Sequence, residues 1–361
     1  MLKKLTIILT IKGRSNFTLR WMRYMNALQC EFKILIADGG KDESLQKILE
    51  NKDNYPELNY EYIRYPYDSS LEIYYNKLCN ITNKVLTPYV LYADNDDFII
   101  LDNIKKYLDF LDKNSDYVCC GGSSATLSIY SSRNKIINSS GGNYFDIRFD
   151  KIQLSSVDNV NGVERVNDFF KLVESDRLWF IWYDIQRTSQ VKISNKYIEN
   201  YLFKDVVSLE IYKITSLLLL GKSKRFEDLF YIRQQGSSEV SAVINEKLNV
   251  VERLIYINAF EEIINGLIYI NKELSDINIL SINKSFTYWF SEKVKILYFS
   301  NANNFWILVN KINFISQNFH IYNNLKKSLY FLRNFLLSKK KVYFLRNKII
   351  ENTILSSIKN D

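Results

Sequence analysis

The residues best suited to chemistry form a short acidic run, Asp94-Asn95-Asp96-Asp97. Three carboxylates in four residues repel one another, and burying them is costly unless a cation lies between them. Oxygen ligands of this kind suit Mg²⁺ or Mn²⁺, especially where phosphate groups complete the coordination shell. A calcium-binding EF-hand loop is excluded, because Ile99 and Lys105 stand where that loop requires glycine and glutamate. A divalent-metal site and a solvated acidic turn both remain open interpretations of the run alone.

Several other kinds of chemistry have little support in the composition. The 361 residues include one histidine, His320, which argues against a Ser-His-Asp hydrolase and against a histidine-rich zinc site. The cysteines form no CxxC motif, so neither a disulfide framework nor a zinc knuckle is indicated; they are Cys30, Cys79, Cys119 and Cys120. Acid–base or metal chemistry therefore falls to carboxylates.

The elements that must position the acidic run alternate between strand and helix patterns. Strands are predicted near residues 5–11, 32–37, 60–65 and 88–93, with helices near 16–29, 42–50 and 71–82. This alternation indicates βαβ units and a parallel sheet, in which the turns after strands meet at the edge where ligands bind. Residues 121–165 read as a loop-and-hairpin insertion. The chain reads as mostly helical from about residue 165 and almost wholly helical beyond 240.

Three of these segments together resemble turns of family-2-type glycosyltransferases with the GT-A fold. Residues 7–14 (IILTIKGR) resemble the first strand and turn, residues 36–42 (IADGGKD) the "D-D-G-S-x-D" turn, and residues 90–97 (VLYADNDD) the "D-x-D-D" motif. The resemblance covers roughly residues 4–240. It implies an α/β fold of GT-A type, Rossmann-like, with a mostly parallel sheet flanked by helices, and a nucleotide-sugar-binding and catalytic domain, 1–240. The remaining residues, 241–361, lie outside this resemblance, and their own pattern predicts a helical, basic C-terminal extension.

The resemblance also implies site residues. Those near the nucleotide-sugar would be Thr10, Lys12, Arg14, Asp38, Lys77, Asp94, Asn95 and Arg233. Asp38 matches the carboxylate that contacts the pyrimidine base, and Arg233 lies in a segment, residues 231–238, that resembles the one closing over the diphosphate. The ligands of Mn²⁺ or Mg²⁺ would be Asp94, Asp96, Asp97 and Gln235. The donor this implies is a nucleotide-sugar, with a UDP-sugar first.

Transfer with inversion requires a carboxylate that deprotonates the acceptor hydroxyl. The resemblance places this catalytic base at the start of a helix well past the metal motif, which matches Asp205, with Glu210 as the second candidate. An aspartate at that position is also an ordinary helix N-cap. The implied reaction transfers a sugar to a hydroxyl of a glycan or lipid-linked acceptor, as in bacterial surface polysaccharide or glycoconjugate synthesis.

Two alternatives remain open. Ala37 and Lys204 stand where the family usually has acids, and Gln235 stands where many members have histidine. These departures support a non-catalytic nucleotide-binding or scaffold protein on the same fold. A nucleotidyltransferase is the second alternative, but its usual glycine-rich basic N-terminal loop is missing.

The positive charge is concentrated near the C-terminus. The net charge is +8, and residues 293–348 carry eleven cations and no acid. Bulky apolar residues are interspersed there, a pattern typical of helices that lie on anionic membrane surfaces, or else of a helical subdomain with a solvated basic face. No nucleic-acid-binding motif supports a nucleic-acid partner. The short apolar run at 5–11 reads as a strand rather than a signal peptide, so we expect a cytoplasmic protein, peripheral at the inner face of the plasma membrane.

Overall fold

The computed structural model describes residues 4–130, 140, 146–152, 155–171, 178–235, 254, 258–270, 279–299, 354 and 356. These residues form a mixed sheet of nine strands flanked by helices. The α/β fold class expected from the sequence is confirmed by this architecture.

The first half of the sheet is parallel. Its strands are β1 (Leu5–Ile11), β2 (Lys33–Asp38), β3 (Tyr60–Arg64) and β4 (Tyr89–Ala93). They lie in the order β3-β2-β1-β4. Nearly every residue of β1, β2 and β4 is buried, and such continuous apolar runs are typical of parallel strands covered on both faces. The ends of β1, β2 and β4 therefore meet at one edge, as predicted.

The second half of the sheet is mixed. Its strands are β5 (Phe98–Ile99), β6 (Tyr117–Tyr130), β7 (Asp146–Ile152), β8 (Ile185–Arg187) and β9 (Lys222–Gln234). The antiparallel strand β8 lies between β4 and β6, and β6 pairs in parallel with β9. The expectation of a mostly helical chain after residue 165 is wrong for β8 and β9. The charged residues of β9 interrupt the alternation of apolar and polar residues that would identify a strand. Its strand conformation is stabilised by pairing with β6, about a hundred residues earlier.

Helices cover the sheet. They are α1 (Ser15–Ala27), α2 (Glu43–Glu50), α3 (Leu71–Asn83), α4 (Ile104–Lys113), α5 (Gly162–Lys171), α6 (Thr188–Asn200), α7 (Val206–Leu220), α8 (Ala259–Ile270) and α9 (Ile279–Phe299). The three helices predicted within the first 83 residues are confirmed. N-cap residues explain where two of these helices begin. Asp42 accepts hydrogen bonds from backbone N–H groups of α2, and Ser70 accepts one from the backbone of α3.

The described helices after residue 240 pack on the earlier part of the chain. Helix α9 lies against α5, where the ring of Phe170 contacts Phe286 and Trp289 at centroid distances of 5.4 and 5.9 Å. Helix α8 lies on α6 and α7, and its Gly266 faces the ring of Tyr212. These contacts place α8 and α9 in the same core as α5–α7. The expected domain boundary at 240 lies outside the described residues, as does the basic segment apart from the last turns of α9.

Two further features bear on the sequence expectations. In the part of the chain that the structure describes, no helix combines the length and apolar character needed to span a bilayer. All four cysteines are buried and unpaired. Desolvation raises the pKa of the Cys30 and Cys79 thiols to about 12, so both thiols are neutral at physiological pH.

Gly266→Ala tests the packing of α8. The added methyl group would lie 2.5 Å from a ring carbon of Tyr212. Overpacking costs about 1–3 kcal/mol, and the better helix propensity of alanine returns about 1 kcal/mol. We expect a net loss of about 1 kcal/mol in urea unfolding, while Asn265→Ala, on the exposed side of the same helix, stays neutral or gains slightly. A stabilised Gly266→Ala variant would contradict the packing of α8 on α7.

Candidate functional site

The acidic run forms a compact cluster at the end of β4. One carboxylate oxygen from each of Asp94, Asp96 and Asp97 lies within 4.8 Å of the others. Strand β4 is buried throughout and pairs with β1, so the chain leaves the sheet at its carboxyl edge and turns there before β5. Asp96 and Asp97 are buried, whereas Asp94 is half-buried. The predicted convergence of these three carboxylates is therefore present.

Two of the acids each keep one oxygen available. The hydroxyl of Tyr183 donates to Oδ2 of Asp94 at 2.5 Å. Nη1 of Arg14 donates to Oδ2 of Asp96 at 2.9 Å and forms an ion pair with it. Within the described part of the chain, Oδ1 of Asp94 and Oδ1 of Asp96 accept no hydrogen bond. A cation could therefore bind these two oxygens without competing with a hydrogen-bond donor.

Asp97 is held at both oxygens. The backbone N–H of Gln234 donates to Oδ1 at 2.9 Å, and the hydroxyl of Tyr231 donates to Oδ2. Both donors belong to β9, so Asp97 joins the acidic turn to the end of that strand. These two donors fix the orientation of the Asp97 carboxylate.

The charges of the cluster are incompletely balanced. Burial, and then the charge of Asp96, raises the pKa of Asp94, although Arg14 and Arg233 act in the opposite direction. Burial together with its two acidic neighbours raises the pKa of Asp97 well above its usual range. A divalent cation would relieve this repulsion, and carboxylate oxygens are ligands that Mg²⁺ and Mn²⁺ prefer. The residues present therefore fit the expected metal.

Arg20 stabilises the backbone of the acidic cluster. Sequence analysis did not identify it as a site residue. Its buried guanidinium lies 5.0 Å from the ring of Phe17 and 4.7 Å from that of Phe98. It donates to the carbonyl oxygen of Asp96 at 2.8 Å and to Oε1 of Gln234 at 2.7 Å. Burial lowers its pKa to about 10, so the side chain remains cationic at neutral pH. The available sequence signal was an arginine among the apolar residues of α1.

The turn after β1 faces the acidic run. Gly13 and Arg14 both adopt left-handed backbone conformations, with φ of 77° and 55°. Asn95 braces this turn and the start of α1, because its Nδ2 donates to the carbonyl oxygen of Arg14 at 3.4 Å and to Oγ1 of Thr18 at 2.9 Å. Lys12 lies 5.3 Å from the ring of Tyr67. Of the predicted residues here, Arg14 reaches the cluster directly, and Asn95 acts by shaping the turn.

Thr10 is half-buried near the end of β1. It lies opposite Ala37 in the register of β1 with β2. The structure therefore places it beside the strand that ends in Asp38, and the next residues of its own strand lead to the turn that carries Arg14.

Asp38 lies outside the acid cluster. It is buried at the end of β2, where Oδ2 accepts hydrogen bonds from the Tyr62 hydroxyl and from Nη1 of Arg64, both at 2.6 Å. Oδ1 accepts from the backbone N–H of Gly40 at 2.7 Å. The predicted base-contacting carboxylate is thus already bonded within the protein.

Lys77 is buried beneath the same edge of the sheet. It pairs with the buried carboxylate of Asp68 and donates to the carbonyl oxygen of Ile11 at 3.0 Å. Desolvation lowers the pKa of Lys77 and raises that of Asp68. Gly39 packs so tightly against Asp68 that no side chain fits there. In this structure Lys77 thus braces the turns after β1 and β3.

The end of β9 contributes a cation and a second glutamine. The charge of Arg233 lowers the pKa of both Asp94 and Asp97, which places it near the cluster. Gln235, the predicted metal ligand, bonds instead through its backbone N–H to Leu127 and accepts from Oγ of Ser128 at 2.8 Å. Its neighbour Gln234 is the glutamine that contacts the cluster. Residues 236–238 of the predicted closing segment lie outside the described residues.

The two candidate bases both belong to the α7 region. Asp205 is buried and is the N-cap of α7, accepting from the backbone N–H of Val207 at 2.8 Å. Glu210 lies one turn further along. Burial raises the pKa of Tyr183 well above its ordinary value, and the charges of Asp94 and then Glu210 add to the effect. Glu210 and Asp94 thus share Tyr183 as a neighbour.

Comparison with solved structures finds chains of S. aureus TarS. TarS 1–349 in complex with UDP-GlcNAc has a TM-score of 0.48 and 15% identity, over 80% of this chain and 72% of that chain. TarS 1–349 in complex with UDP has a TM-score of 0.42 and 14% identity, over 81% and 91%. TarS 1–349 alone gives 0.42 and 13%, over the same shares. No protein-family model matches the chain, and no curated protein matches its sequence. Similarities this low do not assign a role to any residue of this chain.

Arg20→Lys tests the support of the acidic turn. A lysine offers a single ammonium group, which cannot bond two acceptors in a fixed plane while lying between two aromatic rings. Each buried acceptor left unsatisfied costs about 1–3 kcal/mol, so we expect a loss of about 3 kcal/mol in urea unfolding. Lys105→Arg, at an exposed site, is the control and should be neutral. A loss below about 0.5 kcal/mol for Arg20→Lys would contradict this role.

Proposed function

We propose that the protein is a metal-dependent, hexosyltransferase-like glycosyltransferase that uses a nucleotide-sugar donor. The observation that carries the proposal is the cluster at the end of β4, where Asp94 and Asp96 each keep an oxygen for a cation. Arg14 and Arg233 supply positive charge at the same edge of the sheet. Carboxylates that hold a divalent ion beside cationic side chains are suited to a diphosphate.

Different residues have different roles in the proposed reaction. A bound divalent ion would supply charge neutralisation for the diphosphate as the glycosidic bond breaks. Asp94 and Asp96 would hold it, and Arg233 would contact phosphate through its planar guanidinium. Asp38, with Arg64 beside it, presents polar groups for the base of a UDP-sugar, once the base has replaced one of its present partners.

The acceptor side requires a carboxylate to take the proton of the attacking hydroxyl, with inversion as the proposed outcome. We assign this role to the α7 region, first to Asp205 because of its resemblance to the family position, and second to Glu210 because it shares Tyr183 with Asp94. The acceptor is a hydroxyl of a glycan or lipid-linked molecule. The basic segment 293–348 would hold the protein at an anionic membrane surface on the cytoplasmic side, which its charge supports.

A non-catalytic nucleotide-binding or scaffold protein is the second candidate. The specific observation in its favour is that Asp38, Lys77 and Gln235, three of the predicted ligand contacts, are bonded to other residues of the chain. A nucleotidyltransferase would release pyrophosphate instead of a nucleoside diphosphate. Product analysis with a panel of UDP-sugars and, in a separate reaction, with UTP and sugar phosphates, each with Mn²⁺, therefore separates the three functions.

Asp96→Ala tests the metal-dependent reaction. We expect at least a 100-fold fall in UDP release, because the variant removes one of the two available carboxylates. A thermal-shift screen with UDP-sugars should show Mn²⁺-dependent stabilisation of the wild type and none for the variant, since only ligands of the folded state raise the midpoint. Asp53→Ala, at an exposed turn, is the control. Normal turnover by a folded Asp96→Ala protein would remove the metal argument.

The base is tested by comparing Asp205→Asn with Glu210→Gln, two nearly isosteric changes that remove a proton acceptor. We expect Asp205→Asn to lower kcat at least 100-fold with unchanged Mn²⁺–UDP binding, and Glu210→Gln to lower it less than tenfold. Asparagine is also a good N-cap, so the stability of α7 should be preserved. The reverse order of effects would assign the base to Glu210. Two variants with normal kcat would exclude both residues.

A further inference from the structure

Two stacked tyrosines lie behind the acidic cluster. The rings of Tyr183 and Tyr231 are 4.5 Å apart at their centroids, with an angle of 16° between their planes. They come from distant parts of the chain: Tyr183 ends a short 3-10 turn before β8, and Tyr231 lies in β9. Both are buried, and the ring of Phe180 packs edge-on against Tyr231 at 6.2 Å. The packing leaves each hydroxyl little freedom to move.

Each hydroxyl of the pair donates to a different acid. Tyr183 holds Oδ2 of Asp94, and Tyr231 holds Oδ2 of Asp97. A hydroxyl that donates to one oxygen of a carboxylate fixes the direction in which the other oxygen points. For Asp94 that other oxygen is free of hydrogen bonds within the described residues. For Asp97 it is bonded to the backbone of Gln234.

We propose that Tyr183 and Tyr231 are positioning residues of the metal centre, and that they give Asp94 and Asp97 different roles. Tyr183 orients Asp94 as a metal ligand together with Asp96. In this division, Tyr231 and the backbone of Gln234 hold Asp97 as a support that ties the acidic turn to β9, and the metal ligands are Asp94 and Asp96. This inference rests on the proposed metal-dependent function, and it reduces the four predicted ligands to two protein carboxylates.

The chemistry of the free oxygens supports this division. Mg²⁺ and Mn²⁺ in nucleotide sites are commonly bound by one or two carboxylates, with water and phosphate oxygens completing the shell. Two directed oxygens meet that need. With Asp97 kept on its protein donors, the remaining coordination positions are left to water and phosphate oxygens.

The experiment measures Mn²⁺ binding directly, from the loss of the free-ion signal in electron paramagnetic resonance, with and without UDP. The variants are Tyr183→Phe and Tyr231→Phe, which remove single hydroxyl groups and keep the stacked rings. Tyr197→Phe is the matched control, because Tyr197 stacks on Tyr201 at 4.7 Å and 21° but makes no described contact with the acids. We expect Tyr183→Phe to weaken Mn²⁺ binding 10- to 100-fold, the usual effect of losing an outer partner of a ligand. Tyr231→Phe should weaken it less than tenfold, and the control should leave it unchanged.

Two further variants test the division of roles. Asp94→Asn should weaken Mn²⁺ binding at least 100-fold, and Asp97→Asn less than tenfold. Equal losses in the two would overturn the support role of Asp97, and Mn²⁺ binding within twofold of wild type in Tyr183→Phe would overturn the role of the tyrosine. Melting midpoints measured in parallel separate loss of the metal from loss of the fold; a Tyr183→Phe protein that weakens Mn²⁺ binding only by unfolding counts against the proposal.

The wild-type titration distinguishes this inference from the function on which it rests. A wild type that binds Mn²⁺ while Tyr183→Phe binds it equally well defeats the tyrosine proposal alone. A wild type that binds neither Mn²⁺ nor Mg²⁺, with or without UDP, defeats the metal-dependent function and the positioning role together.

Discussion

Repulsion among three carboxylates that the fold holds within 4.8 Å of one another is the constraint around which this edge of the sheet is built. Each carboxylate is stabilised by different partners. Asp96 has an arginine, Asp94 a tyrosine hydroxyl, and Asp97 a hydroxyl and a backbone amide. The negative charge that these partners do not neutralise, together with burial, raises the pKa of Asp94 and Asp97. This excess negative charge is the physical reason for expecting a cation.

These partners come from several separate parts of the chain. Arg14 belongs to the turn before α1, Arg20 to α1, Tyr183 to the segment before β8, and Tyr231 to β9. The acidic turn is therefore held by tertiary structure rather than by its own local bonds. Because Arg14 directly precedes α1 and Arg20 lies within it, a displacement of that helix would change the charge balance of the cluster and the position of the Asp96 backbone at once.

The parts of the fold that follow from local pattern were accessible from sequence. Strands β1, β2 and β4 are continuous apolar runs, and the turn that follows β4 had to lie at the carboxyl edge, so the clustering of Asp94, Asp96 and Asp97 could be predicted. Strand β9 could not be recognised in the same way, since its conformation depends on a partner strand about a hundred residues away. Because β9 was not predicted, the contacts that Tyr231 and Gln234 make with Asp97 could not be predicted either.

Asp38 and Lys77 illustrate a different limit. The strand pattern predicts that Asp38 lies at the carboxyl edge, and the family resemblance adds Lys77 beside it; the structure places both there. Which groups they bond is decided by Arg64 and Asp68, whose side chains converge on them only once β3 and the residues after it have folded. Sequence pattern thus located the two residues but could not supply their partners.

The burial of every cysteine has a practical consequence. A maleimide or nitroxide reagent reacts with thiolates, and the four native thiols are shielded and, for Cys30 and Cys79, held neutral by desolvation. A single cysteine engineered at an exposed position such as Leu86, where 93% of the side chain is accessible, would be labelled selectively in the native background. The wild-type chain is thus already suited to spectroscopic probes that report on its motions.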